Sequence, residues 1–210
     1  MGNVGLLYVG AILFLNGTML LGWIEDRSAA PLNLFVGVLQ VVTPTYLIFT
    51  SGGDENAILG ASGLYLFGFT YLYVAMNLFF GLDGTGLGYF SAFVAGCAVV
   101  FAALNFWREG FGDNGFGVIW LYWAFLWTLF FVLLGLRQEN LGRYTGAVAA
   151  IQGIVTGGIP AFLLMTGNWT DNADTAAVVL AVFGVVAFGA LWYRLREPDG
   201  ASEQAAAVAA

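Results

Sequence analysis

The sequence predicts an all-α integral membrane protein with seven transmembrane helices, and three observations support this fold class. The chain has 210 residues, of which 60% are hydrophobic and only 9% are charged. Such a composition is far from that of an average soluble domain. Seven apolar stretches are each long enough to cross a bilayer, and the polar connections between them are short. All 13 acidic and six basic residues fall in these connections or near the C-terminus.

The seven predicted spans follow from the length of the apolar runs. They cover residues 3–22, 31–51, 57–82, 87–107, 116–136, 144–167 and 175–193. No basic region precedes the first run and no small-residue cleavage pattern follows it, so we predict a retained membrane helix and not a signal peptide. Residues 1–196 are expected to form a single transmembrane domain. Residues 197–210, EPDGASEQAAAVAA, have no apolar face to bury and are expected to form a disordered cytoplasmic tail.

The arginines predict the orientation of the chain. With the N-terminus outside and the C-terminus inside, only Arg108 lies on the outer side of the membrane. The other five arginines then face the cytoplasm, as the positive-inside rule favours, and they are Arg27, Arg137, Arg143, Arg194 and Arg196. We therefore expect a multi-pass protein of the cytoplasmic membrane with its N-terminus outside.

The first and third spans each carry a stripe that ends in an amide. One face of the first helix holds Leu6, Val9, Leu13 and Asn16, with Gly10 and Gly17 nearby. The third helix repeats polar or aromatic side chains every four residues, at Tyr65, Phe69, Tyr73 and Asn77. A buried amide such as Asn16 either joins two helices or contacts a solute, and the pattern leaves both roles open.

Three tryptophans dominate the fifth span. Steps of three and four residues place Trp120, Trp123 and Trp127 on one helix face, with Leu126 beside Trp127. Membrane tryptophans usually lie at the headgroup level, whereas some of these should lie deeper. The rings either pack helices together or line a narrow aromatic slot.

The sixth span combines small residues with two polar ones. Four small residues recur every four positions and predict a tightly packed helix interface, at Ala149, Gly153, Gly157 and Ala161. Pro160 predicts a kink. Gln152 and Thr156 lie on the adjacent face. The seventh span has no interior amide, so we expect it to be peripheral and to face lipid.

Missing residue types exclude much chemistry. The chain contains neither His nor Lys, which removes histidine acid/base catalysis, histidine metal sites and Schiff-base chemistry, including that of retinal proteins. Cys97 is the single cysteine and is expected to be a small buried residue. With no charged side chain inside a span and no nucleophile–base pair, neither a catalytic residue nor a metal or other cofactor is expected, and nothing suggests a nucleic-acid partner.

Several motifs together resemble the AmiS/UreI family of urea and short-chain amide channels. They are LLYVG at 6–10, the pair Asn16-Gly17, FGFTYLY at 67–73 followed by Asn77, the tryptophan set of the fifth span, and IQGI with IPAFLL within 151–164. The match covers the first six spans in order. Family membership would imply six-helix protomers in a hexameric ring, with a substrate pore through each protomer and lipid in the central hole.

The resemblance also implies which residues line the pore. Carried over by motif, they are Val9, Leu13, Phe69, Tyr73, Trp120, Trp123, Leu126, Trp127 and Gln152. The amides of Asn16 and Asn77 complete the set of candidate pore residues. No residue of this set carries a charge.

The chain departs from the family in three respects. Its acid-gated urea channels have Glu at the position of Gln152, and their gating depends on histidines in long outer loops. This chain has no histidine, and its outer connection at 52–56 is very short. The span at about 175–193 is additional to the six-helix pattern.

The sequence thus predicts a passive channel for urea or small neutral amides that is not gated by acid. The partners expected are the amide solute, membrane lipid and further copies of the chain in a hexamer. The alternative is a structural or accessory membrane protein whose aromatic faces serve only for packing. The sequence leaves the choice between urea and other amides open.

Overall fold

The computed structural model describes residues 2–195, and these residues form helices without any strand. Within this range, seven helical segments are long and apolar enough to cross a membrane, which confirms the predicted number of spans. The predicted tail at 197–210 lies outside the described residues. The helices are α1 (Gly2–Leu20), α2 (Ala30–Thr50), α3 (Glu55–Phe80), α4 (Thr85–Trp107), α5 (Asn114–Phe130), α6 (Gly142–Gln152), α7 (Ile159–Met165) and α8 (Ala173–Leu195).

Local sequence signals set several helix ends. The Asp54 side chain accepts a hydrogen bond from the backbone N–H of Ala57 at 2.6 Å and caps α3, and Asp113 caps α5 in the same way. α3 ends at Gly81, whose φ of 65° is left-handed and suits glycine. Such caps satisfy N–H groups that the first helical turn leaves free.

Glycines allow α1 and the sixth span to pack backbone against backbone. A Cβ added to Gly10 would lie 2.6 Å from the Gly153 carbonyl oxygen, and one added to Gly157 would lie 2.5 Å from the Gly10 Cα. A similar close approach occurs about two turns further along α1, where a Cβ added to Gly17 would lie 2.6 Å from the Gly146 carbonyl oxygen. Small residues at such contacts are typical of membrane helices, because close packing replaces the hydrophobic effect there. The predicted small-residue interface is therefore present.

The sixth span is interrupted at the expected place. A π-helical segment, Gly153–Gly158, separates α6 from α7, and Pro160 lies in the first turn of α7. Because proline has no N–H, it cannot make the regular bond to the carbonyl four residues earlier, and the helix loosens ahead of it. A second π-helical segment, Phe131–Gly135, extends α5 to the end of the fifth span.

α8 packs on the outer side of α5. The Tyr122 hydroxyl of α5 donates to the Leu180 carbonyl, and the Tyr144 hydroxyl of α6 donates to the Phe188 carbonyl at 3.2 Å. The span that contains α8 has the smallest buried share of the seven, 22%. Its outward valines are exposed, which agrees with the peripheral position that its composition predicts.

The contact between α1 and the π-helical segment of the sixth span can be tested with Gly10→Ala. Because the added Cβ meets backbone atoms that cannot rotate away, we expect a loss of roughly 1–3 kcal/mol of stability, measured as a lower melting temperature of the purified protein in detergent. Gly96→Ala and Gly189→Ala are matched controls, since each is in a helix and an added Cβ there meets nothing within 4 Å. Equal melting temperatures for all three variants would show that the glycine contact is dispensable.

Candidate functional site

Two cavities lie at opposite ends of the helix bundle, and Trp123 lines both of them. The upper cavity, at the end where α1 begins, encloses about 350 Å³ and reaches Asn3 and Leu6. The lower cavity, at the end where α1 finishes, encloses about 210 Å³ and reaches Met19 and Leu20. The two cavities are separated near the middle of the bundle.

Between the cavities lies a cluster of four aromatic rings, Phe67, Trp120, Trp123 and Trp127, which we call the aromatic barrier. The Phe67 ring centroid lies 4.7 Å from those of Trp123 and Trp127, both in edge-to-face geometry, and 6.0 Å from that of Trp120. Trp120 in turn stacks on Phe101 at 4.5 Å. Phe67 is 1% exposed, so its ring is held on all sides.

Helix periodicity explains how α5 supplies three of the four rings. Its three indoles point to the interior, as their spacing predicts, and Leu126 lines the lower cavity beside Trp127. Tyr122 lies on a different face and binds α8 instead. The helix therefore separates its interior-facing and its α8-facing aromatic residues.

A chain of hydrogen bonds orients Trp123. Its indole Nε1 donates to the Thr156 Oγ1 at 3.0 Å, and that hydroxyl donates to the Gln152 carbonyl at 2.7 Å. The Gln152 side-chain Nε2 donates to the Tyr122 carbonyl at 3.0 Å. These bonds tie the sixth span to α5 at the level of the barrier. A buried indole N–H normally needs such a partner.

The inward face of α3 is not the one predicted from the stripe at Phe69 and Tyr73. Phe69 is 51% exposed and faces outward, and the Tyr73 hydroxyl packs against Gly86 at the start of α4. Neither residue lines a cavity. Phe67 and Tyr71 take the inner positions, two residues earlier in each case. A stripe with four-residue spacing exists on both faces, so periodicity cannot say which one is turned inward.

The amides have different roles. Asn16 and Asn33 exchange hydrogen bonds of 3.0 and 2.7 Å, so Asn16 joins α1 to α2 while its side chain also lines the lower cavity. Asn77 lines the same cavity. Gln152 is fully buried and lines neither cavity, so it supports the barrier from behind. Asn16 therefore has the first of the two roles considered from the sequence, joining two helices, and it also lies at a cavity.

The structure brings together most of the residues predicted from the sequence. Around the lower cavity it collects Leu13, Asn16, Asn77, Trp123, Leu126 and Trp127. Trp120 and Trp123 line the upper cavity. Val9 is buried in the core but lines neither cavity. The sequence analysis missed four residues that line the lower cavity, Phe67, Thr70, Tyr71 and Ser91. The helical spacing of positions 67, 70, 71 and 74 could have indicated three of them, because these positions share one face of α3.

Among residues 2–195, the charged side chains lie near the two ends of the bundle. Asp113, beside the upper cavity, accepts from the Phe116 N–H and from the Trp169 indole, both at 2.8 Å. Near the lower end, hydrogen bonds from the Thr85 hydroxyl and backbone N–H, aided by the Arg137 guanidinium at 3.4 Å, lower the pKa of the Asp83 carboxyl. Asp83 therefore remains ionised at neutral and mildly acidic pH.

The fold, with its two cavities between membrane-spanning helices, is that of a transport protein, and comparisons with known proteins identify its family. The model of the AmiS/UreI family transporter matches residues 1–168. A candidate amidate substrates transporter of Mycolicibacterium smegmatis is 52% identical over 213 residues, covering 100% of this chain and 99% of the relative. The acid-activated urea channel of Helicobacter pylori is 35% identical over 191 residues, covering 78% of this chain and 97% of the relative.

A solved structure agrees with these sequence matches. The Helicobacter pylori urea channel in its closed state aligns with a TM-score of 0.73 and 36% identity, covering 81% of this chain and 100% of that one. The chain belongs to the AmiS/UreI family of transporters. The family resemblance is thereby confirmed, as is the expectation that this protein is no enzyme, because the family members are transporters and channels.

Thr156→Val tests how Trp123 is held. The change keeps the side-chain shape but removes the acceptor of the indole N–H, so we expect a loss of about 1–3 kcal/mol of stability and a changed tryptophan fluorescence spectrum. Thr50→Val is the matched control, because the Thr50 hydroxyl also donates to a carbonyl of its own helix, that of Tyr46, but is exposed. An unaltered melting temperature and spectrum in Thr156→Val would mean that ring packing alone positions Trp123.

Proposed function

We propose that the protein is a passive channel for urea and other small neutral amides across the cytoplasmic membrane. The observation that carries the proposal is the arrangement of two mostly apolar cavities on either side of the aromatic barrier, which itself contains no charged side chain. In this proposal the solute passes between the cavities when the rings of the barrier shift. The names of the relatives, an amidate transporter and a urea channel, agree with it.

The chemistry of the barrier suits planar solutes. Urea and short amides are flat, so the faces and edges of Phe67, Trp123 and Trp127 can contact them closely. In the lower cavity, the Tyr71 hydroxyl and the amides of Asn16 and Asn77 can replace part of the hydration shell. Few such groups are present, and weak binding favours rapid passage. Ions find no compensating charge at the barrier and are excluded.

The orientation and assembly are also proposals. Arg108 lies at the upper end and Arg137 near the lower end, so the positive-inside rule puts the upper cavity outside the cell. Large apolar side chains are exposed on the outer faces of α2, α3 and α4, where they can contact lipid or neighbouring protomers. We propose that each protomer of a hexamer carries its own path.

The central experiment measures solute flux into liposomes that contain the purified protein. We expect stopped-flow swelling in a urea or acetamide gradient to be faster with protein than without it, and no current to accompany the flux. Equal rates in both vesicle types would favour the alternative, in which the aromatic faces serve only for packing. An electrical current that accompanies the flux would contradict the proposal that the permeating solute is neutral.

Variants at the barrier connect the flux to the proposed path. Trp127→Ala removes one wall and is expected to change the urea-to-acetamide flux ratio, whereas Trp23→Ala, at a residue that is 71% exposed, is not. Phe67→Leu and Phe69→Leu form a second matched pair, of which only the first should alter flux. If only Phe69→Leu altered the flux, at equal protein level, the pore would be lined by the face of α3 that the sequence predicts and not by the face of Phe67.

We also expect flux to be nearly constant between roughly pH 5 and 8, because the chain has no histidine to titrate there. Six acids are the remaining candidates at the upper end, Asp54, Glu55, Glu109, Asp113, Asp171 and Asp174. A free carboxyl side chain in water titrates near pH 4, which lies below this interval. Proteoliposome flux across this interval is the measurement.

Gln152→Glu supplies the positive control for this pH experiment. A protonated Glu can donate to the Tyr122 carbonyl as Gln152 does, whereas an ionised one cannot and places an unpaired charge in the core. Flux through the variant should therefore fall as pH rises. A reversible, several-fold rise on acidification in the unaltered protein would refute the ungated channel and point to one of the six acids.

A further inference from the structure

The lower cavity is lined by hydroxyl groups whose protons are already used. Thr70 Oγ1 donates to the Leu66 carbonyl at 2.7 Å, and Ser91 Oγ donates to the Leu87 carbonyl at 2.8 Å. A hydroxyl has one proton and two lone pairs, so both groups can offer only acceptors to a solute in the cavity. Thr70 is on α3 and Ser91 on α4, and both line the cavity between largely apolar side chains.

The same cavity is also lined by a residue that can donate a hydrogen bond. Tyr71 lines this cavity and is only 2% exposed. Its hydroxyl has no hydrogen-bond partner among the described residues. Its free proton can be donated to a carbonyl oxygen. Unpartnered buried polar groups are uncommon in folded proteins and are costly unless a water or a solute satisfies them.

This set of groups matches an unsubstituted carboxamide better than other small solutes. A primary amide carries two N–H donors on one nitrogen and one carbonyl acceptor. The hydroxyls of Thr70 and Ser91 can receive the N–H groups while Tyr71 donates to the carbonyl. A solute whose nitrogen is methylated loses one or both donors and leaves a lone pair unmatched in a site from which water is displaced.

We propose that the lower cavity is the selectivity site of the channel and that the acceptor hydroxyls of Thr70 and Ser91 recognise the free NH2 group of urea and primary amides. The inference rests on the proposed function and specifies its substrate class: small carboxamides with an unsubstituted nitrogen, in preference to N-alkylated amides of equal size.

The test compares two isomers. Propionamide has a free NH2 group, and N-methylacetamide has the same atoms with one N–H replaced. Swelling rates of proteoliposomes are measured for each, and the rates of protein-free vesicles are subtracted because both solutes also cross lipid. We expect propionamide to permeate about five-fold faster or more, the ratio that one unmade hydrogen bond gives. N,N-dimethylacetamide, compared with its isomer butyramide, should be discriminated more strongly.

Two variants assign the discrimination to the named residues. Ser91→Ala and Thr70→Val each remove one acceptor while the helix carbonyl keeps its backbone partner, so both should lower the propionamide-to-N-methylacetamide ratio towards unity. Ser62→Ala is the matched control, because Ser62 also donates to its own helix, at the Leu59 carbonyl, but is exposed. It should leave the ratio unchanged.

The outcomes separate this inference from the proposed function. If neither isomer enters faster than in protein-free vesicles while urea also fails to do so, the channel itself is refuted. If both isomers enter faster at equal rates, the channel stands and NH2 recognition is overturned. A ratio that persists in a well-assembled Ser91→Ala, Thr70→Val double variant overturns the assignment to these hydroxyls.

Discussion

The hydrogen bond from the Trp123 indole to the Thr156 hydroxyl connects the packing of the bundle to the path through it. Thr156 lies in the π-helical segment of the sixth span, and this segment is pressed against α1 by the contact between Gly10 and Gly157. A side chain larger than hydrogen in that contact would push the sixth span away from α1. The position of the central indole thus depends on two glycines that touch no solute.

The rings of the aromatic barrier are closely packed. Each indole is buried and makes edge or face contacts with Phe67, so no ring can rotate without displacing its neighbours. Only Trp123 among the indoles lines both cavities. Small displacements of Trp123 and Phe67 are therefore the simplest way to connect the two cavities, and the hydrogen bond to Thr156 limits how far the indole can travel.

Polar groups in the membrane region are used sparingly, and most of them have structural duties. Asn33 and Asn16 bind each other, and Gln40 donates to the Gly5 carbonyl at 2.7 Å, so both pairs join α1 to α2. Gln152 joins the sixth span to α5. In a bilayer an unpaired polar group is costly, which explains why these amides bind protein atoms first. Two residues with a buried polar atom that has no partner among the described residues, Tyr71 and Asn77, line the lower cavity.

The sequence by itself determined the seven spans, the tryptophan face of α5 and the absence of charge from the membrane interior. These properties are local, since they depend on run length, helix periodicity and residue type. Only the tertiary structure decided that α3 turns Phe67 and not Phe69 inward, and that Gln152 supports the barrier without lining a cavity. The physical reason is that lipid is as apolar as the protein interior, so hydrophobicity cannot distinguish a buried face from a lipid-facing one.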